Sequence, residues 1–120
     1  MTKKELTPEM MVEVAAKGLQ EKKGHNIISI DLRGVSGAFT DFFVICHGGS
    51  GRQIDALADS VENEMRLGLN EKATHREGND VSEWILLDYY NIIVHIFSES
   101  KREFYNLEDL WGDGKIKKYE

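Results

Sequence analysis

The chain has 120 residues, of which 41% are hydrophobic and 30% charged, with a net charge of −6. This is the composition of a globular domain able to bury about two-thirds of its unfolded surface without disulfides or a structural metal. It excludes a membrane span, because no apolar run nears the roughly 18 residues one needs, and its acidic balance weighs against binding through phosphate neutralisation.

From the N-terminus, Met1 to Leu6 shows neither an apolar signal core nor an arginine-rich transit pattern, so a cytoplasmic location is expected. Thr7-Pro8-Glu9 combines an N-cap, a proline for the first helical position and an acid for the helix dipole, predicting a helix to about Lys23, stopped by Gly24. His25 to Leu32 reads as a strand, Gly34 to Gly37 as a loop, and the apolar run Asp41 to Cys46 as a central strand buried on both faces. Ser50-Gly51-Arg52-Gln53 has capping-box spacing and opens a second helix with an apolar stripe at Ile54, Leu57, Ala58, Val61 and Met65, with Gly68 as a left-handed stop. Lys72 to Glu77 reads as a short edge strand, and Gly78-Asn79-Asp80 as a loop. Ser100 to Glu103 repeats the capping-box pattern, predicting a short helix through Tyr105 and then an amphipathic piece from Leu107 to Trp111. Residues 112–120, with Lys115, Lys117 and Lys118, read as a short basic tail on a single domain spanning 1–120. The element order implies an α/β (α+β) fold: one mixed sheet of about five strands flanked by helices.

Trp84 to Phe97 is the most informative segment. Read as a hairpin turning at Tyr90-Asn91, alternation places Ile85, Leu87, Tyr89, Ile92, Val94 and Ile96 on one face, an apolar set suited to lie under helices. The opposite face gathers Trp84, Leu86, Asp88, Ile93, His95 and Phe97, where large apolar groups sit beside a carboxylate and an imidazole. Such a mixture suits a surface covered by another molecule. In this register His95 lies across from Leu86 and diagonal to Asp88, whose carboxylate favours a charged imidazole; a hydrogen-bonded pair that only tidies the sheet face is the alternative.

Three chemical motifs carry less. Gly48-Gly49-Ser50-Gly51 joins a strand to a helix N-terminus, where amides can meet an anion, but it is neither a P-loop nor a dinucleotide fingerprint and no lysine follows. Glycines serving a tight turn are the simpler reading. Cys46 and His47 are adjacent on a strand and so point to opposite faces, which keeps the imidazole from the thiol proton, and the lone Cys46 agrees with a reducing compartment. His25, His47, His75 and His95 show no zinc-ligand spacing.

Thr40 to Ile45, Gly48, Ser50, Arg52-Gln53-Ile54, Glu77-Gly78, Trp84 to Tyr89, Val94 to Phe97, Arg102 to Tyr105, Leu107-Glu108 and Leu110-Trp111 together resemble the ribosomal silencing factor, or Iojap-like, family over most of the chain. The resemblance implies a nucleotidyltransferase-like fold without the active site, binding to the large ribosomal subunit through its fourteenth protein, obstruction of small-subunit docking under nutrient limitation, and homodimers. One departure is the turn: the family usually has Gly-Asp where this chain has Tyr90-Asn91, and tyrosine resists positive φ, so a bulge there would regroup the faces.

The sequence therefore points to a translational repressor, not an enzyme, acting by steric block without a cofactor or metal. Its partner-binding candidates are Trp84, Leu86, Asp88, Tyr89, Arg102 and Tyr105, and the first helix is the candidate for self-association. The rival reading is a nucleotide-binding, nucleotidyltransferase-like enzyme using the Gly48–Gly51 loop with Asp41 or Asp88 holding a metal.

Overall fold

The computed structural model describes residues 5–78 and 83–119. Its elements are α1 (Pro8–Glu21), β1 (His25–Asp31), β2 (Phe42–Gly48), α2 (Gly51–Leu69), β3 (His75–Gly78), β4 (Trp84–Asp88), β5 (Ile92–Ser98), α3 (Glu99–Tyr105), α4 (Leu107–Leu110) and β6 (Lys115–Tyr119). The strands form one mixed sheet in the order β3-β4-β5-β2-β1-β6. β2 and β5 run parallel at its centre, and the other neighbouring pairs are antiparallel.

Local chemistry sets most element ends. Thr7 caps α1, its Oγ1 accepting from the Met10 amide, and Ser50 caps α2 by accepting from Gln53. α2 passes through Gly68 and stops at Asn70, a left-handed residue whose amide returns to Arg66. Gly68 was the expected stop; asparagine fills the αL position instead, and its neighbour Glu71 donates to Met65 to complete the cap. α3 begins two residues before the expected box, because Ser98 is the residue that accepts from the Lys101 amide. Asn79 and Asp80 of the expected loop lie outside the described residues, and Gly78 closes β3.

The expected basic tail is largely a strand. β6 pairs with β1 from Ile27↔Tyr119 to Asp31↔Lys115, making six strands where about five were expected. The chain can turn back there because position 114 is glycine: a Cβ would lie 2.5 Å from Ile30 Cγ2 and 2.8 Å from the Asp31 carbonyl oxygen. Alternating lysines on so short a segment hide its strand character.

Both sheet faces are covered. On one, α1 and α2 bury Met11, Val12, Leu19, Leu57, Val61 and Met65 against Val44, Cys46 and the hairpin's apolar set. All six residues assigned to that set, Ile85, Leu87, Tyr89, Ile92, Val94 and Ile96, are buried. On the other, α3, α4 and the β1–β2 loop cover Ile30, Phe43, Ile45, Ile93 and Phe97, with Trp84, Leu86, Leu107 and Trp111 packed at the rim.

Candidate functional site

The hairpin keeps the two-residue register, with Trp84 opposite Phe97, Leu86 opposite His95 and Asp88 opposite Ile93. Tyr90 takes the positive φ that the turn demands, 72°, and the Asn91 amide closes onto the Tyr89 carbonyl at 2.9 Å. The strain is braced: Asp88 Oδ1 accepts from the Tyr90 amide at 2.7 Å, and Thr40 Oγ1 donates to the Tyr90 carbonyl. No bulge is needed, so the two faces group as alternation dictates.

The mixed face divides into a sealed half and an open half. Ile93, His95 and Phe97 on β5 are buried beneath the chain's own α3, α4 and aromatic side chains, which corrects the expectation that the whole face stands ready for a partner. The sequence shows that α3 and α4 exist but not that they fold back over the sheet. What remains open lies on β4 and the helices. Trp84 is half-buried, its ring 4.7 Å from Tyr105 and 5.3 Å from Phe97, with its indole N–H donating to His95 Nδ1 at 3.2 Å. Leu86 lies half-buried beside it, while Phe104 and Leu110, largely exposed, stand out from α3 and α4.

Of the six candidate residues, Trp84, Leu86, Asp88 and Tyr105 reach the surface. Tyr89 and Arg102 are buried, so neither side chain is offered directly to a partner in this conformation. Tyr89 lies in the helix-side core, as its parity requires, and burial pushes its hydroxyl upward from the ordinary phenol range. Arg102 faces inward from α3, donating to Glu108 Oε2 at 3.2 Å, the His25 carbonyl at 3.2 Å and His47 Nδ1 at 3.0 Å. Sequence reasoning passed over Phe39, Phe104 and Leu110 as contributors to the apolar rim. Phe39 had a readable signal, an aromatic in a Gly-rich loop; its ring lies 6.3 Å from Trp111.

His95 is neutral rather than charged. Burial pushes its pKa down to about 3, and Asp88, the expected carboxylate partner, is occupied with its own turn. Cys46 is likewise inert for thiol chemistry: it is buried among α1, α2 and the sheet, which raises it to about 12, and His47 lies on the other face.

The parts of the nucleotide-binding alternative do not converge. Gly48–Gly51 lies at the carboxyl ends of the parallel strands, whereas Asp41 precedes β2 and Asp88 ends β4, both at the opposite end of the sheet, about 20 Å away along a seven-residue strand. The Gly49 amide and the Ser50 hydroxyl are already engaged within the chain. Gln53 Oε1 accepts from the Gly49 amide at 2.7 Å while its Nε2 donates to the carbonyls of Lys22 and Lys23, tying the end of α1 to the start of α2. Glu83 and Glu99 line the adjoining cleft, where their charge would repel a polyphosphate. Among the described residues, no group of three or more His, Cys, Asp or Glu is placed to hold a metal, and no helix is long and apolar enough to cross a membrane.

These features define an α/β domain with a helix-covered sheet, a second core on the far side, and an aromatic rim where that core meets solvent. Residues 4–120 match the family model described as ribosomal silencing factor during starvation, and the chain belongs to that family. It is 35% identical over 107 residues to the ribosomal silencing factor RsfS of Bacillus subtilis, covering 88% of each chain. Against RsfS of Haemophilus influenzae it is 39% identical over 101 residues, 84% of this chain and 97% of that one. A solved structure from Chromobacterium violaceum superposes with a TM-score of 0.83 at 28% identity, covering 89% of this chain and 88% of the other.

Proposed function

We propose that the protein represses translation in the cytoplasm by binding the large ribosomal subunit through its fourteenth protein and obstructing the small subunit. Trp84, Leu86, Asp88 and Tyr105 supply the contact, with Tyr89 and Arg102 supporting it from within. The observation that carries this reading is the rim itself. The Trp84 ring packs against Tyr105 at 4.7 Å with the planes tilted by 42°, beside the half-buried Leu86, so rigid aromatic and aliphatic surface is presented at little further entropic cost, as interface anchors require. A protein partner suits this apolar rim and a chain of net charge −6 better than a phosphate backbone does. Steric obstruction requires occupancy alone, which agrees with a glycine loop whose Gly49 amide is taken by Gln53 and whose cleft is lined by Glu83 and Glu99.

Sedimentation with purified large subunits tests this. Wild-type protein should co-migrate, and preincubation should reduce the yield of joined ribosomes when small subunits are added. Leu86→Asp, on a half-buried side chain, should weaken retention at least about tenfold, as should Trp84→Ala. Undiminished co-migration of both variants would remove the rim from the contact. Self-association belongs to the same reading. The apolar stripe of α1 is buried, so a paired surface there would use the half-buried Met10 and Val14 with flanking charges, and light scattering at micromolar concentration should report twice the monomer mass.

A further inference from the structure

We propose that Arg102 is a positioning residue for the docking rim: by donating to the bare Nδ1 of a neutral His47 it clamps α3 and α4 to the sheet, holding Tyr105 against Trp84, and the clamp opens when that nitrogen takes a proton. This rests on the docking role proposed above.

The clamp is built from four elements. β1 carries one extra residue between His25 and Ile28, with Asn26 at φ 48°, and this irregularity leaves the His25 carbonyl free to accept from Arg102 Nη1. The same nitrogen reaches His47 on β2, and Arg102 Nε reaches Glu108 on α4. Arg102 is 8% exposed, so its charge is held away from water by these partners. Three residues further along α3, Tyr105 lies over Trp84 and 6.0 Å from Phe97. Shifting α3 therefore shifts the rim.

The proton dependence follows from hydrogen-bond chemistry. A guanidinium has donors and no acceptor, so the His47 Nδ1 it meets at 3.0 Å must be bare and the ring hydrogen must sit on Nε2, which faces Glu99 Oε2 at 3.6 Å. A proton on Nδ1 would set N–H against N–H and cation against cation. The groups facing His47 are Arg102 and Glu99 from α3, Glu108 from α4 and His25 stacked from β1 at 5.4 Å, while Glu83, Glu103 and Lys118 line the clefts on either side. Burial, then Arg102 and His25, lowers the His47 pKa against the opposing pull of Glu99 and Glu108.

A proton NMR titration of the free protein from pH 7.5 to pH 4.5 tests the clamp. The Tyr105 ring and Trp84 indole resonances should move with the midpoint of the His47 ring, below 6.5, and stay flat in His47→Asn, whose amide offers a carbonyl that cannot be protonated. Unmoved Tyr105 and Trp84 signals while His47 titrates, or an identical titration in His47→Asn, would overturn the proposal. Arg102→Lys, with one point charge in place of the fork, should shift both resonances at pH 7.5 and weaken large-subunit retention about tenfold; wild-type resonances in that variant would also overturn it. If the wild type itself fails to co-sediment, the docking role falls while the titration still decides the clamp.

Discussion

Tyr90 shows how one side chain can carry strain for the sake of register. At φ 72° and largely exposed, it occupies a backbone region costing a non-glycine residue about 1–2 kcal/mol, and its ring gains little packing in return. Tyr90→Gly should therefore raise stability by about 1 kcal/mol in urea unfolding without altering the spectrum of the folded state. Gly18 is the opposite case. A Cβ there would meet Val61 Cα at 2.9 Å and the Ser60 carbonyl oxygen at 3.1 Å, in the seam where Ser60 Oγ donates to the Gly18 carbonyl. Since backbone cannot yield as a side chain can, Gly18→Ala should cost about 2 kcal/mol, read as a lower urea midpoint.

At the scale of elements, β6 and the α3–α4 pair decide what the sheet can present. β6 shields the edge of β1, and Tyr119 links it to α1 and β1 through Glu13 and Ser29. A chain ending at Gly114 should lose at least about 2 kcal/mol and self-associate through the bared β1 edge, visible by unfolding and light scattering. α3 and α4 convert half of an aromatic face into core and leave the remainder as a rim. Arg102 joins both helices to the sheet from within, so substitutions there act on the rim through α3.

For the whole molecule, two buried neutral histidines link stability to pH. The folded state holds His95 near 3 and His47 below its ordinary 6.5, so below about pH 6.5 the unfolded chain binds more protons than the fold. Their contribution is complete above that value and is lost as the pH falls toward the folded pKa values. His95 gives a slope of about 1.4 kcal/mol per pH unit, with His47 adding to its upper part. Urea unfolding at about pH 5 should report a fold roughly 2 kcal/mol less stable than at pH 7.5.

Side-chain alternation, capping chemistry and apolar periodicity are local properties, and they sufficed to place α1, β1, β2, α2 and the hairpin, to pair Trp84 with Phe97, and to send Cys46 and His47 to opposite faces. Gly68 and Ser100 misled because more than one nearby residue satisfied the same local rule, and the choice between them rested on a few tenths of a kilocalorie. Residues distant in sequence decided the rest. The lysine-rich β6 has too little apolar pattern to announce itself and becomes a strand because β1 offers it an unpaired edge. His95 is neutral because α3, α4 and their aromatic neighbours exclude water from its ring. A charged helical residue ordinarily faces solvent; Arg102 is internal only because the β1 irregularity, His47 and Glu108 supply partners for a buried guanidinium, and chain folding alone could bring those three together.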